Sequence, residues 1–293
     1  MIDLSISIVS WNCKDLLRKC LKSIYENTSK ISYEVFVVDN ASADGSADMV
    51  AAEFPKVTLF RRTGNDGFTV TNNQAIRASK GRYIILLNPD TIVKPGALDT
   101  MVKFMDEHPD AGALGPKLLN PDGTLQRSCL SFPNMWVFIL RNLFIEALMP
   151  WNPITRKYLM TDFDHDHIAE VDQPMGAALM VRREPFGKVG LLDEKIHIFF
   201  DDVDWCYRIK KAGFKIYFTP EAHIIHYGGA SVKKWTPFKL SKEWNKSRDY
   251  YIGKHYSMFS KYLLWVSDLL KVLIILAVVA VIIGLPIFLL IPR

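Results

Sequence analysis

The four cysteines, Cys13, Cys20, Cys129 and Cys206, form no Cys-x-x-Cys pair. That argues against a zinc module or disulfide scaffold and for reduced thiols in a cytoplasmic domain. The N-terminus, MIDLSISIVSW, has no basic region followed by an apolar core and a cleavage site, so no secretory signal is expected. There is no arginine-rich run or aromatic-basic ladder, and the net charge is only +5, so nucleic acid is not an expected partner. Neither G-x-G-x-x-G nor a P-loop lysine motif occurs, so a glycine-rich loop is not expected to cradle a phosphate. Internal repeats and low-complexity stretches are missing too.

Apolar residues are abundant. They make up 49% of the 293 residues, enough for a substantial core in one large domain or two small ones. Residues 273–291, LIILAVVAVIIGLPIFLLI, carry no charge over about the thickness of a bilayer's hydrocarbon core. They read as a membrane segment that tolerates Gly284 and Pro286, with Arg293 anchoring the far end. A buried core helix is the competing reading, but the stretch lacks a polar face. Upstream stand Lys233, Lys234, Lys239, Lys242, Lys246, Arg248, Lys254, Lys261 and Lys271. By the positive-inside rule they place the preceding domain in the cytoplasm of a single-pass membrane protein. The expected division is a catalytic domain over 1–231, a basic juxtamembrane segment over 232–266 and a membrane helix over 267–293.

Short β-branched runs alternate with helical patterns in the first half. LSISIVSW (4–11), YEVFVVDN (33–40), VTLFRR and RYIILLNPD (82–90) read as strands. CKDLLRKCLKSIYENT, SADMVAAEF and TNNQAIRASK read as helices. Such alternation implies a parallel sheet with helices on both faces, which binds ligands beyond the carboxyl ends of its strands. The residues just past those ends are Ser10, Trp11 and Asn12, then Asp39 and Asn40, then Asn88, Pro89 and Asp90. Residues 128–160, rich in aromatics and leucine, read as an insert at a membrane interface or along an acceptor groove, with core packing an equal alternative.

Asp39 follows an apolar strand and leads into NASADGS, where a carboxylate can accept hydrogen bonds from a base or ribose. With no phosphate loop, a bound diphosphate needs a cation. Asp90 and the histidines of AHIIHYGGAS, His223 and His226, offer an oxygen and an imidazole for Mn²⁺ or Mg²⁺. Each also has a structural reading: a turn aspartate bonded to its own backbone, and a satisfied histidine. In HIFFDDVDWCYRIKKAGF (197–214), three acids are crowded against aromatics at a helix start. The helix dipole favours an ionised carboxylate there, as a general base requires, although an aspartate N-cap would look the same.

In order along the chain, SIVSWN, VVDNASADGS, NDGFTVTNNQAI, LLNPD, MGAALMVRREPFGKVGLLDE, FFDDVDWCYRIKKAGF and HIIHYGGAS resemble the inverting glycosyltransferases of family 2, in their bacterial rhamnosyltransferase-like branch. The resemblance runs from residue 4 to about 231. It implies an α/β, GT-A nucleotide-sugar-binding fold: a mostly parallel, Rossmann-like sheet flanked by helices, here followed by the C-terminal transmembrane helix. It also implies that Asp202 is the catalytic base, that Asp39 reads the nucleotide base beside Ser10 and Trp11, and that Asp90 and His226 hold Mg²⁺ or Mn²⁺ on the diphosphate. Asn12, Asn40, Asn65, Asn73, Asn88, Gly176 and Asp201 fall in the same nucleotide-sugar site, with Trp205 and Arg208 as neighbours only. Asn88 stands where many relatives carry a first Asp, Asp201-Asp202 replaces Glu-Asp, and Thr69 and Thr71 replace small residues.

The implied partners are a nucleotide-diphosphate sugar, the membrane and a polyprenyl-diphosphate-linked saccharide acceptor. The branch points to dTDP-rhamnose as donor. A UDP-hexose, or a tethered regulator that binds sugar nucleotides without turnover, is the rival reading.

Overall fold

The computed structural model describes residues 2–229 and 235–289, with side chains as far as residue 281. Ala230, Ser231, Lys233, Lys234 and Arg293, invoked above, lie outside the described residues. From the N-terminus, β1 (Leu4–Ser10), α1 (Lys14–Asn27), β2 (Tyr33–Asp39), α2 (Ser46–Glu53), β3 (Thr58–Arg61), α3 (Phe68–Ala78) and β4 (Tyr83–Leu87) alternate. Next come β5 (Thr91–Val93), α4 (Ala97–Glu107), β6 (Ala111–Leu119), β7 (Leu125–Gln126) and β8 (Cys129–Leu130). The short helices α5 (Met135–Asn142), α6 (Ile145–Leu148) and α7 (Pro153–Tyr158) lead to β9 (Ala169–Glu170), β10 (Gln173–Pro174) and β11 (Ala178–Arg182). The chain continues through α8 (Phe186–Val189), α9 (Asp201–Lys211), β12 (Lys215–His226), α10 (Pro237–His255) and α11 (Met258–Leu289).

The main sheet runs β3-β2-β1-β4-β11-β6-β12-β5. Its first four strands are parallel, as their alternation with helices requires, and both faces are covered. Leu4, Ile6 and Ile8 of β1 and Val35 and Val37 of β2 join one core with Leu17, Leu21 and Ile24 of α1. The second half corrects the expectation of a mostly parallel sheet. β11 runs antiparallel to both β4 and β6, β5 is antiparallel to β12, and only β6 and β12 restore a parallel pair. β11 begins at the carboxyl end of β4, where Ala178 pairs with Leu87 and the Asn88 N–H donates to the Ala177 carbonyl at 2.9 Å. An antiparallel β11 thereby starts at the ligand-binding edge of the sheet.

The chain forms two compact units, residues 1–130 with 163–251, and 131–162 with 252–293. The first reaches beyond the expected boundary at 231. Ser247 donates to the Ile198 carbonyl at 2.7 Å and Tyr250 to Asp193 at 3.0 Å, so much of α10 packs as part of this unit. Arg248, assigned above to the lipid-facing basic approach, is 2% exposed, bonds Asp249 and stacks over Trp244.

In the second unit, Asn142 of α5 donates to Ser267 and Asp268 of α11 at 2.9 and 2.8 Å. Val137 and Phe138 are buried, whereas Trp136, Leu148 and Trp151 of the same insert are exposed. α11 is long and apolar enough to cross a membrane: within Met258–Val281 an 18-residue window reaches a mean hydropathy of 2.4. The helix begins at Met258, earlier than expected, and its backbone continues through Pro286. All four cysteines are free and buried, and burial pushes the thiols of Cys20 and Cys129 up to about 12, leaving them unreactive near neutrality.

Candidate functional site

Parallel register puts the ends of β1 and β2 side by side: Ser10 pairs with Asp39, and the Asn40 N–H donates to the Ser10 carbonyl. The loops beyond are tied together. Asn12 adopts a left-handed backbone, φ 52°, accepts from the Ala43 N–H at 2.7 Å and donates its own N–H to Ser42 Oγ. Trp11 is half-buried beside it. Asp39 is buried and accepts from the Ser42 N–H through Oδ2, while its Oδ1 is buried without a partner. An orphaned carboxylate oxygen carries a desolvation cost that a ligand's N–H or O–H would relieve.

Asn40 spends its side chain holding the next loop, donating to Asn65 Oδ1 at 2.9 Å and accepting from the Asp66 N–H at 3.0 Å. Asn73 braces α3 against residues 192–194, donating to the Leu192 carbonyl and Glu194 and accepting from the Leu192 N–H. Thr69 and Thr71 are fully buried, and the Thr71 hydroxyl donates to the carbonyls of Gly67 and Phe68. Asn40, Asn73 and Thr71 thus shape the loop, whereas the buried Thr69 hydroxyl has no partner.

At the end of β4, Asp90 and His226 meet. Their Oδ1 and Nε2 stand 3.4 Å apart, both side chains are buried, and Asn88 Nδ2 lies 3.4 Å from the same Nε2. Register explains the meeting, because Thr91 of β5 pairs with His226 of β12. His223 pairs elsewhere, with Lys117 of β6, and is not part of this pair. Among the described residues no group of three or more His, Cys, Asp or Glu forms a metal cluster. A carboxylate and an imidazole facing each other suit Mg²⁺ or Mn²⁺ if diphosphate oxygens and water complete the shell, and the residues fit such an ion on that condition.

The crowded acids separate into distinct roles. Phe199 and Phe200 both have left-handed backbones, φ 59° and 60°, which for bulky residues costs about 1–3 kcal/mol each and persists only where packing imposes it. Phe200 is held against Trp244 and Tyr251 of α10. Asp204 is fully buried and pairs with Arg208 at 2.8 Å. Arg208 also donates to the carbonyls of Val189 and Leu191, and the Trp205 indole donates to Gly190 at 3.1 Å, so these neighbours fasten α9 to residues 189–191.

Asp202 keeps part of its surface exposed. Its Oδ2 accepts from the Gly176 N–H at 2.9 Å and from Gln173 Nε2 at 3.2 Å, and its Oδ1 accepts from the Val203 N–H at 2.8 Å. Burial pushes the carboxyl of Asp202 up, while these donors pull it back. Asp201 is pushed well up, by burial first and then by the charge of Asp202. A single negative charge on the pair therefore rests on Asp202, where the donors are.

Consecutive residues link the two halves of the site: the Gly176 amide holds Asp202, and the Ala177 carbonyl holds the Asn88-Pro89-Asp90 turn. Sequence reading missed two polar residues here. Gln173 contacts Asp202, and Gln126 accepts from His226 Nδ1 at 2.7 Å. Neither lies in a recognisable motif. The available signal was only a glutamine beside each motif-bearing strand.

Comparison with known proteins gives the family and the fold. The family model for glycosyl transferase family 2 matches residues 5–190. The N-acetylglucosaminyl-diphospho-decaprenol L-rhamnosyltransferase of Mycobacterium tuberculosis is 30% identical over 209 residues, 66% of this chain and 66% of its own length, just under two thirds. The rhamnosyltransferase WbbL of Escherichia coli is 25% identical over 232 residues, covering 76% of this chain and 82% of its own. The crystal structure of GalNAc-T7 with UDP, GalNAc and Mn²⁺ superposes with a TM-score of 0.58 at 14% identity, over 92% of this chain and 55% of that one. At that identity the likeness concerns the fold, a GT-A-like α/β architecture.

Proposed function

Because this chain belongs to glycosyl transferase family 2, we propose that it transfers L-rhamnose from dTDP-rhamnose, with inversion, to a lipid-linked saccharide at the membrane. The observation that carries the reading is the anchoring of Asp202 and of the Asn88-Pro89-Asp90 turn on the consecutive residues Gly176 and Ala177. It supports a site in which one carboxylate faces the acceptor and another faces the leaving group.

Asp39, with its buried unpartnered Oδ1, accepts from the nucleotide base. Asp202, kept ionised by three donors, removes the proton of the acceptor hydroxyl as that oxygen attacks the anomeric carbon from the face opposite the diphosphate. Attack from that face inverts the centre, and one base suffices because no covalent sugar intermediate forms. Asp90 and His226 would hold a divalent cation, which when bound supplies positive charge beside the departing diphosphate.

The mycobacterial relative's name, specifying a decaprenol-diphosphate substrate, and the apolar α11 both support a polyprenyl-diphosphate acceptor. Tethering at the bilayer raises the effective concentration of such an acceptor. The positive charges of α10 support a cytoplasmic catalytic domain.

A donor panel tests the substrate. Full-length protein with membranes containing the lipid acceptor and Mn²⁺ is expected to release dTDP from dTDP-rhamnose faster than UDP from any UDP-hexose. The reverse order would reassign the donor, and no metal-dependent release from either would overturn the reading. Gly176→Ala tests the anchor. A Cβ at this position would stand 3.1 Å from Asp202 Oδ2 and 3.2 Å from its Cβ, so the carboxylate must shift. The expected result in steady-state kinetics is a fall in kcat of about tenfold with donor KM little changed.

A further inference from the structure

We infer that Gln126 is a positioning residue: it fixes His226 in a single tautomer, proton on Nδ1, and so presents a bare Nε2 to a cation shared with Asp90. This deepens the functional reading above and rests on it for the identity of the ion. The argument begins from groups whose hydrogen-bonding role cannot change, the backbone carbonyls.

Asn120 donates through Nδ2 to the Leu125 carbonyl at 3.2 Å and to Thr124 Oγ1 at 2.9 Å. A carbonyl only accepts, so the amide of Asn120 is oriented and its Oδ1 points the other way. That oxygen accepts from Gln126 Nε2 at 3.0 Å, and the same Nε2 donates to the His226 carbonyl at 3.2 Å. Two acceptors on one side orient the amide of Gln126 in turn. Its Oε1 therefore faces His226 Nδ1, 2.7 Å away, and requires a proton there. A neutral imidazole protonated on Nδ1 has its lone pair on Nε2.

The consequence lies on the other side of the ring. Nε2 stands 3.4 Å from Asp90 Oδ1, with both side chains buried. With Nε2 unprotonated, it can accept from Asn88 Nδ2, 3.4 Å away, and it faces the Asp90 carboxylate, so a cation placed there would meet a lone pair and a negative oxygen together. The turn behind the relay is itself closed. The Asn120 N–H donates to the Thr124 carbonyl, the Gly123 N–H to the Asn120 carbonyl, and Asp122 accepts from both the N–H and the hydroxyl of Thr124. Because Gln126 lies on β7, paired with β6 at Leu118, the relay is built on the sheet.

The test is ¹⁵N NMR of histidine-labelled, metal-free full-length protein in detergent, with the His226 signals assigned by their loss in His226→Asn. The wild-type ring is expected to show Nδ1 protonated and Nε2 bare. Gln126→Leu is expected to give a mixed tautomer, while Asn120→Asp, which keeps an acceptor in front of Gln126, retains the wild-type one. Mn²⁺ affinity, measured by EPR with dTDP present, is expected to weaken about 10–100-fold in Gln126→Leu. A wild-type ring protonated on Nε2, or a tautomer unchanged in Gln126→Leu, would overturn the role of Gln126. If His226→Asn leaves Mn²⁺ affinity untouched, the metal assignment fails instead, and the metal-free spectra still decide the tautomer.

Discussion

Replacing Asp202 by asparagine is expected to lower kcat by about 10²–10⁴-fold, the usual contribution of a general base, while donor binding persists. The amide can still accept from the Gly176 and Val203 N–H groups that hold the native carboxylate, so the turn keeps its shape. Only the ability to take a proton is lost. Fluorescence or calorimetric titration with dTDP, set beside initial rates, separates the two effects.

Asp201→Asn is the control. Its neutral amide imitates an Asp201 that keeps its proton, so the acidic limb of the pH–rate profile should stay in place, above the ordinary carboxylate range because burial raises Asp202. Stability follows the same chemistry. The native chain holds these protons more tightly than the unfolded chain does. The pair thus favours folding in acid and increasingly opposes it as pH rises from the ordinary carboxylate range to the raised values. Asp201→Asn, uncharged at every pH, should raise the melting temperature at neutral pH, with an advantage that shrinks in acid.

Asp90→Asn is expected to cost about 10²–10³-fold in kcat, as loss of one electrostatic stabiliser of a leaving group does. With Asn88 rather than a second carboxylate two residues before it, Asp90 supplies the only acid of the Asn88-Pro89-Asp90 element. Its backbone carbonyl, which accepts from the Tyr227 N–H at 2.9 Å, is untouched by the substitution, so β5 and the end of β12 should remain joined. Mn²⁺ binding measured by EPR should weaken in parallel with the rate. A variant with full Mn²⁺ affinity and full rate would remove Asp90 from the site.

The strand ends were legible because β-branched runs announce buried parallel strands and polar residues follow each one; Asp39 and Asp90 emerged that way, and Asp202 from the acids crowded against aromatics at the start of a helix. The antiparallel β11 was not, because AALMV reads the same in either direction and its long-range pairing with β4 and β6 sets the orientation. The partners of the site residues were equally hidden. His226 and Gln126 are 100 residues apart in sequence, and Asp202 and Gln173 are 29 apart. Nor did composition distinguish Arg248, buried over Trp244, from the exposed lysines around it. Local pattern reveals which residues end a strand, but long-range register decides which of them meet.

The central claim concerns positions in space, and a crystal structure of the Asp202→Asn protein with intact dTDP-rhamnose and Mn²⁺ measures it most directly. The account predicts the ion on Asp90 and His226, the thymine against Asp39, and the amide of residue 202 on the face of the anomeric carbon opposite the diphosphate. An ion bound away from Asp90 and His226, or a sugar whose open face is turned from residue 202, would contradict it.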